Sequence, residues 1–242
     1  MKRTDACKLE LRKIRFHKQQ IIKIIRIGLP SGINSSLFSI SNVIIQSSIN
    51  SFGDVFMSGS AAAASIEGFV YVIMNAFSQA AVNFVGQNHG AHLHRRVKQA
   101  WLICLGCAAA FGLIGGLIAY GFAPQLLSFY ITDSQDAISY GILRMSYTVL
   151  TYFLCGMLDS TTGTLRGIGA SFTPMNISIL GICAFRIAWI YTVFQIPQYH
   201  TPGNLFISYP ISWAITLLVE LLVLMKMLQR TGKSHNIKKA AS

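Results

Sequence analysis

Long, nearly uncharged apolar segments alternate along this chain with short polar connections. The second of them, residues 58–91, holds one carboxylate, Glu67, and is long enough to cross a bilayer, because a hydrocarbon core of about 30 Å needs about 20 apolar residues in a helix. Lipid offers no hydrogen-bond partner to a free backbone, so an open sheet edge or loop is excluded there. We therefore predict an all-α integral membrane protein with six transmembrane helices. The predicted spans are residues 27–51, 58–91, 98–122, 137–164, 174–196 and 204–228.

Basic segments flank the six spans at both ends of the chain. We interpret residues 1–26 as a basic cytoplasmic linker or surface helix, which anionic lipid would attract. Residues 27–228 form the predicted six-helix lobe, and residues 229–242 form a basic cytoplasmic tail. Because a long charged segment precedes the first span, we expect no cleavable signal peptide.

Composition and charge support insertion into a membrane. Hydrophobic residues make up 52% of the chain and charged residues 12%, whereas soluble domains carry about 25% charged residues. The formal net charge is +12, but the basic residues lie at the ends and in short loops. This pattern indicates orientation in a membrane, with both termini in the cytoplasm, and not binding to nucleic acid. The loops expected outside contain Asp54, Asp133 and Asp136, and those expected inside contain Arg95, Arg96, Lys98 and Arg166.

Polar side chains recur at helical spacing within several spans. In the first two spans they follow steps of three and four residues, which places them on one stripe of each helix. We predict that they line an aqueous substrate cavity, with interhelical hydrogen bonding as the alternative. Aromatic side chains such as Phe69 and Phe77 would add cation–π surface. The predicted cavity residues are Asn42, Gln46, Asn50, Tyr71, Asn75, Gln79, Tyr152 and Cys155.

Two acids, Glu67 and Asp159, lie inside predicted spans and away from their ends. Ionisable groups at membrane depth are costly and commonly serve transport. We predict that Glu67 and Asp159 couple transport to a proton or cation. The alternative is a structural pairing with Arg144 or Arg186. A third acid, Glu220, lies nearer the cytoplasmic end and is expected at the membrane interface.

The remaining reactive side chains favour neither metal binding nor catalysis. Cys104 and Cys107 are spaced like a redox or metal pair, but within an apolar helix we expect them to be packing residues. The three histidines between 89 and 94 lack a nearby carboxylate or cysteine, so a basic interfacial loop is favoured over a metal site. No nucleophile and base lie together at one depth. We therefore expect no enzyme activity, no metal and no cofactor beyond a coupling ion.

Four stretches of the chain form a combination that is more specific than any one of them. They are IGLPSGINSSLFSISNVIIQSSINSFG, IEGFVYVIMNAFSQA followed by NFVGQNHGA, YFLCGMLDSTTGTLRGIGASFTPM, and ISYPISW. Together they resemble the multidrug and toxic compound extrusion (MATE) cation antiporters of bacteria. The resemblance implies the second of two six-helix lobes of a twelve-helix fold, with residues 1–26 corresponding to the linker between lobes. It also implies that some members carry an acid at the position of Glu67, and that members with an acidic residue in the fourth helix carry it at the position of Cys155, one turn before Asp159.

This resemblance implies export of cationic or amphipathic compounds across the bacterial plasma (inner) membrane, in exchange for H⁺ or Na⁺. The partners would be the lipid bilayer, the small substrate and a second six-helix lobe, supplied by another copy or by a missing N-terminal half. Two alternatives stay open. In the first, the chain would be a truncated, non-transporting remnant, and in the second it would be a lipid-linked saccharide flippase of related fold.

Overall fold

The computed structural model describes residues 17–240, which form helices and turns without a β-strand. We number the α-helices in chain order. They are α1 (Lys18–Asn50), α2 (Asp54–Gly90), α3 (His94–Gly121), α4 (Ala123–Ser128), α5 (Gln135–Thr148), α6 (Tyr152–Gly167), α7 (Phe172–Ser178), α8 (Phe185–Tyr191) and α9 (Pro202–Ala240).

Two of the membrane-spanning segments each consist of two α-helices joined by a short segment of another helix type. A 3₁₀ turn, Val149–Thr151, joins α5 to α6, and a π-helical segment, Ile179–Ala184, joins α7 to α8. Short 3₁₀ turns at Val193–Gln195 and Pro197–Tyr199 then lead to α9. Tight or wide turns inside a helix often mark functional positions, because they change the direction of the side chains that follow.

Within the described residues, five helical segments are long and apolar enough to cross a membrane. They are Asp54–Gly90, His94–Gly121, Gln135–Gly167, Phe172–Gln195 and Pro202–Gln229. The first long helix, α1, has 33 residues and so has the length of a span, but its polar stripe makes it less apolar than these five. The structure confirms the predicted all-α membrane architecture and places a helix at each of the six predicted spans.

The helix ends differ from the predicted boundaries near both termini. Helix α1 begins at Lys18 and passes without a break through residues 26 and 27, where we expected a surface segment to end. Helix α9 likewise continues past residue 228 to Ala240. Lys, Arg and Gln are good helix formers, so the basic flanks extend the helices of the spans. The predicted N-terminal segment lies otherwise outside the described residues.

Close contacts around α2 organise the bundle. Helix α2 packs against α3, α5 and α6, and glycines remove side-chain bulk where these helices meet. A Cβ atom on Gly112 of α3 would lie 2.8 Å from the Cα of Phe153 on α6, and one on Gly163 of α6 would lie 2.6 Å from the carbonyl oxygen of Ser78 on α2. Small residues allow membrane helices to approach this closely. The remaining long helices, α1 and α9, complete the wall of a cavity.

Candidate functional site

A cavity of about 700 Å³ lies between the helices. Side chains from every long helix except α3 contribute to its described lining. The structure brings nine of the ten predicted site residues to this cavity. They are Asn42, Gln46, Glu67, Tyr71, Asn75, Gln79, Tyr152, Cys155 and Asp159.

Asn50 is the predicted cavity residue that the described lining does not include. It is the last residue of α1 and is exposed, and its Oδ1 accepts a 3.0 Å hydrogen bond from Nε2 of Gln46. The stripe that we traced along α1 therefore passes beyond the cavity in its last turn. Helical spacing gives the direction of a stripe but not the point at which a cavity ends.

The polar stripes of α1 and α2 lie at the rim of the cavity. Asn42 and Gln46 of α1 and Gln79 of α2 are exposed, and Tyr71 retains 38% of its accessible surface. Residues deeper in the wall, such as Arg186 at 2%, are buried. The cavity thus has an open side between α1 and α2 and a closed side formed by the later helices.

Glu67 is paired with Arg144, in the geometry of the structural alternative considered above. Arg144 donates from Nε to one carboxylate oxygen and from Nη2 to the other, both at 2.9 Å. Thr148 donates to the same carboxylate, and Nη1 of Arg144 donates to Ser60 Oγ at 2.8 Å. The carboxylate faces the cavity, but the pair ties α2 to α5 through a two-pronged contact that fixes both side chains.

Asp159 on α6 also lines the cavity, but its carboxyl group forms no ion pair with an arginine or lysine among the described residues. Its Oδ2 is buried and meets no hydrogen-bond donor among the side chains that the structure describes. Arg166, two turns along the same helix, acts on it electrostatically without an ion pair to any described residue. Since buried polar atoms in native proteins are nearly always hydrogen-bonded, this oxygen is a candidate binding point for a proton, a cation or water.

The closed side of the cavity contains an arginine that our cavity prediction did not include. Nε of Arg186 donates to Ser212 Oγ at 2.9 Å, and its guanidinium carbon lies 4.0 Å from the ring centre of Tyr209 and 5.5 Å from that of Trp213. Its Nη2 is buried without a hydrogen-bond partner in the part of the chain that the structure describes. An aromatic, positively charged wall therefore faces the polar rim.

Tyr209 and Trp213 are two further cavity residues that sequence reasoning missed. Both line the cavity, their rings lie 5.8 Å apart, and Trp213 also packs 5.5 Å from Tyr152. They stand four residues apart on α9, and this spacing of two large aromatics on one helix face was the available signal. By contrast, Phe69 is 71% exposed, and Phe77 packs against Phe111 of α3.

Glu220, which we predicted near the membrane interface, has a fully buried side chain. Its carboxylate accepts hydrogen bonds from Thr162 Oγ1 at 2.7 Å and Ser178 Oγ at 3.3 Å. Two hydroxyl groups from α6 and α7 thus satisfy an acid on α9. The hydroxyl partners come from helices distant in sequence, so the position of Glu220 along the chain could not reveal them.

The histidine loop and the cysteines form no metal site among the described residues. The rings of His89 and His94 lie 6.4 Å apart, and His92 between them has a φ of 59° where the chain turns from α2 to α3. Cys104 and Cys107 are both free. The three histidines therefore surround the turn from α2 to α3, and both cysteines lie within α3.

Several known proteins are similar in sequence to this chain. The MatE family model matches residues 30–192. The chain is 23% identical over 208 residues to the probable multidrug resistance protein YoeA of Bacillus subtilis, which is 86% of this chain and 44% of that protein. It is 24% identical over 169 residues to the probable multidrug resistance protein NorM of Thermotoga maritima, 68% of this chain and 35% of that protein. The chain spans less than half the length of these curated relatives.

Solved structures have the same fold as this chain over about half of their own length. One is the Vibrio cholerae MATE transporter VcmN in the bent form, with a TM-score of 0.79 and 19% identity over 89% of this chain and 48% of that chain. Another is an outward-facing multidrug resistance MATE family transporter of the MOP superfamily, with a TM-score of 0.82 and 18% identity over 96% of this chain and 52% of that chain. The family model matches well over half of the chain, so this multi-pass membrane protein belongs to the MatE family, as the resemblance of its sequence motifs predicted.

Proposed function

We propose that this chain is the C-terminal lobe of a secondary active multidrug efflux antiporter, which exports cationic or amphipathic compounds in exchange for H⁺ or Na⁺. The observation that carries the proposal is the free Oδ2 of Asp159 on the wall of a polar cavity. A carboxyl group in this position can hold a proton or a small cation and release it when a cationic substrate takes its place. Tyr71, at the rim, and Tyr152 offer flat surfaces for such a substrate.

The two acids have different roles in this proposal. Asp159 is the coupling group, because its Oδ2 accepts no hydrogen bond from an arginine among the described side chains. Glu67 would have to leave both hydrogen bonds of Arg144 before it could take up a proton or cation. We therefore assign Glu67 to positioning, as the residue that locks α2 against α5 beside the cavity.

The exposed rim along α1 and α2 supports a second lobe as the partner that closes the cavity. Its polar residues and its opening would face that lobe, while the closed side belongs to this chain. The partner is either a second copy or an N-terminal lobe, in a bacterial plasma membrane with both ends of this chain in the cytoplasm. The clustering of Arg95, Arg96 and Lys98 at the start of α3 supports that orientation.

Ethidium transport by the purified protein in liposomes tests this function. A gradient of H⁺ or Na⁺ across the liposome membrane should drive ethidium in the opposite direction, and collapsing the gradient with an ionophore should stop it. Native mass spectrometry of the same preparation distinguishes a self-paired chain from a single one. Absence of ethidium movement under either gradient, with a self-paired chain present, would contradict the proposal.

A further inference from the structure

The cavity wall holds two buried arginines, and the chain itself satisfies one of them. Arg144 gives its donors to Glu67 and Ser60. Arg186 is 2% exposed, yet its Nη2 has no acceptor and no carboxylate forms an ion pair with it among the described side chains. A buried guanidinium without a counter-charge is costly, because the lost hydration is not replaced. We therefore expect the Arg186 guanidinium to have a hydrogen-bond acceptor that the described residues do not provide.

Among the described residues, two of the three acids with a buried carboxyl oxygen are already hydrogen-bonded to other groups, and the third makes no ion pair with Arg186. Glu67 is held by Arg144, and Glu220 accepts from Thr162 and Ser178. Asp159 lies on the same cavity but makes no ion pair with Arg186. The missing acceptor would then come from a molecule in the cavity.

Arg186 lines the cavity, and neighbouring groups on α9 hold its side chain in place. The π-helical segment Ile179–Ala184 precedes it, and Gly181 within that segment lets the helix approach Thr216 of α9 closely. The guanidinium then rests on Tyr209 and its Nε is bonded to Ser212. A guanidinium fixed by stacking and one hydrogen bond loses little freedom when it binds a planar anion such as a carboxylate.

We propose that Arg186 is an anion subsite that binds the carboxylate of an amphipathic substrate, whose aromatic body lies along Tyr209 and Trp213. The inference rests on the proposed transport function and adds a second recognition point to it. Asp159 and Arg186 would then select the two ends of one molecule. A substrate with an acidic group would bind more tightly than its neutral ester.

Two rhodamine dyes that differ at one group provide the test. Rhodamine 110 carries a free carboxylate, and rhodamine 123 is its methyl ester. Their binding to the purified protein in lipid nanodiscs can be followed by fluorescence anisotropy. Arg186→Gln should weaken rhodamine 110 binding by at least ~10-fold, the loss expected for a hydrogen bond to a charged group, and should leave rhodamine 123 within about twofold. Arg186→Lys, which keeps the charge, should recover part of the affinity.

Arg95→Gln is the matched control, because it removes one positive charge from an exposed position at the start of α3. It should change the binding of neither dye. Equal losses for both dyes in Arg186→Gln, or no loss for either, would overturn the subsite while leaving the proposed transport function intact. If the unaltered protein binds neither dye, the anion subsite is refuted, while ethidium transport still decides the proposed function. Melting curves of each variant show whether a lost affinity reflects a lost fold.

Discussion

Arg144 on α5 donates two hydrogen bonds to the carboxylate of Glu67 on α2, each 2.9 Å long. The side chains of this pair are 9% and 6% exposed, so the protein shields most of both charges from solvent. Removing one partner leaves the other charge buried and alone. We expect Glu67→Gln to lower the free energy of unfolding by about 3–5 kcal/mol, measured by titrating the protein from mild detergent into SDS.

The double variant Glu67→Gln, Arg144→Met distinguishes a structural pair from a coupling acid. It removes the stranded charge, so stability should return to within about 1–2 kcal/mol of the unaltered protein. If Glu67 only positions α2, ethidium transport should return with the stability. Recovery of the fold without recovery of transport would give Glu67 the coupling role that the sequence suggested.

Asp159→Asn should abolish gradient-driven ethidium transport while the protein still folds, because the amide cannot carry a charge. In the unaltered protein the ionised carboxylate attracts a cationic dye and the protonated acid does not. Ethidium should therefore bind more tightly as the pH rises, and this dependence should disappear in Asp159→Asn. Asp133→Asn, in an exposed turn, is the control and should behave like the unaltered protein. A pH dependence that survives in Asp159→Asn would exclude this acid.

The sequence predicted the helices and most of the cavity for a physical reason. Stripes such as Asn42–Gln46 and Tyr71–Asn75 are local, since four residues return the chain to the same helix face. Pairings across helices are not local. Glu67 and Arg144 are 77 positions apart. From the sequence alone, Arg144 and Arg186 were equally possible ion-pair partners for Glu67. Only the packing of α2 against α5 decides between them.

The glycines of α3 offer a comparison within one helix. A Cβ atom on Gly112 would lie 2.8 Å from the backbone of Phe153, whereas one on Gly106 would meet nothing within 4 Å. Gly112→Ala should therefore cost about 1–3 kcal/mol of unfolding free energy, because the backbones must separate. Gly106→Ala should be neutral or stabilise by up to about 1 kcal/mol through helix propensity. Both values come from the SDS titration, and equal effects would contradict the close contact between α3 and α6.

Thr162 and Thr161 are adjacent on α6 and test how Glu220 is held. Thr162 Oγ1 donates to the Glu220 carboxylate at 2.7 Å, while Thr161 Oγ1 donates to the carbonyl of Met157 in its own helix. Valine has nearly the shape of threonine but cannot donate. Thr162→Val should cost about 1–3 kcal/mol, because a buried carboxylate loses its closest donor. Thr161→Val should cost less than about 1 kcal/mol, because the Met157 carbonyl already accepts a bond within the helix. Similar losses in the two variants would mean that the Glu220 carboxylate takes its stability from a group other than Thr162.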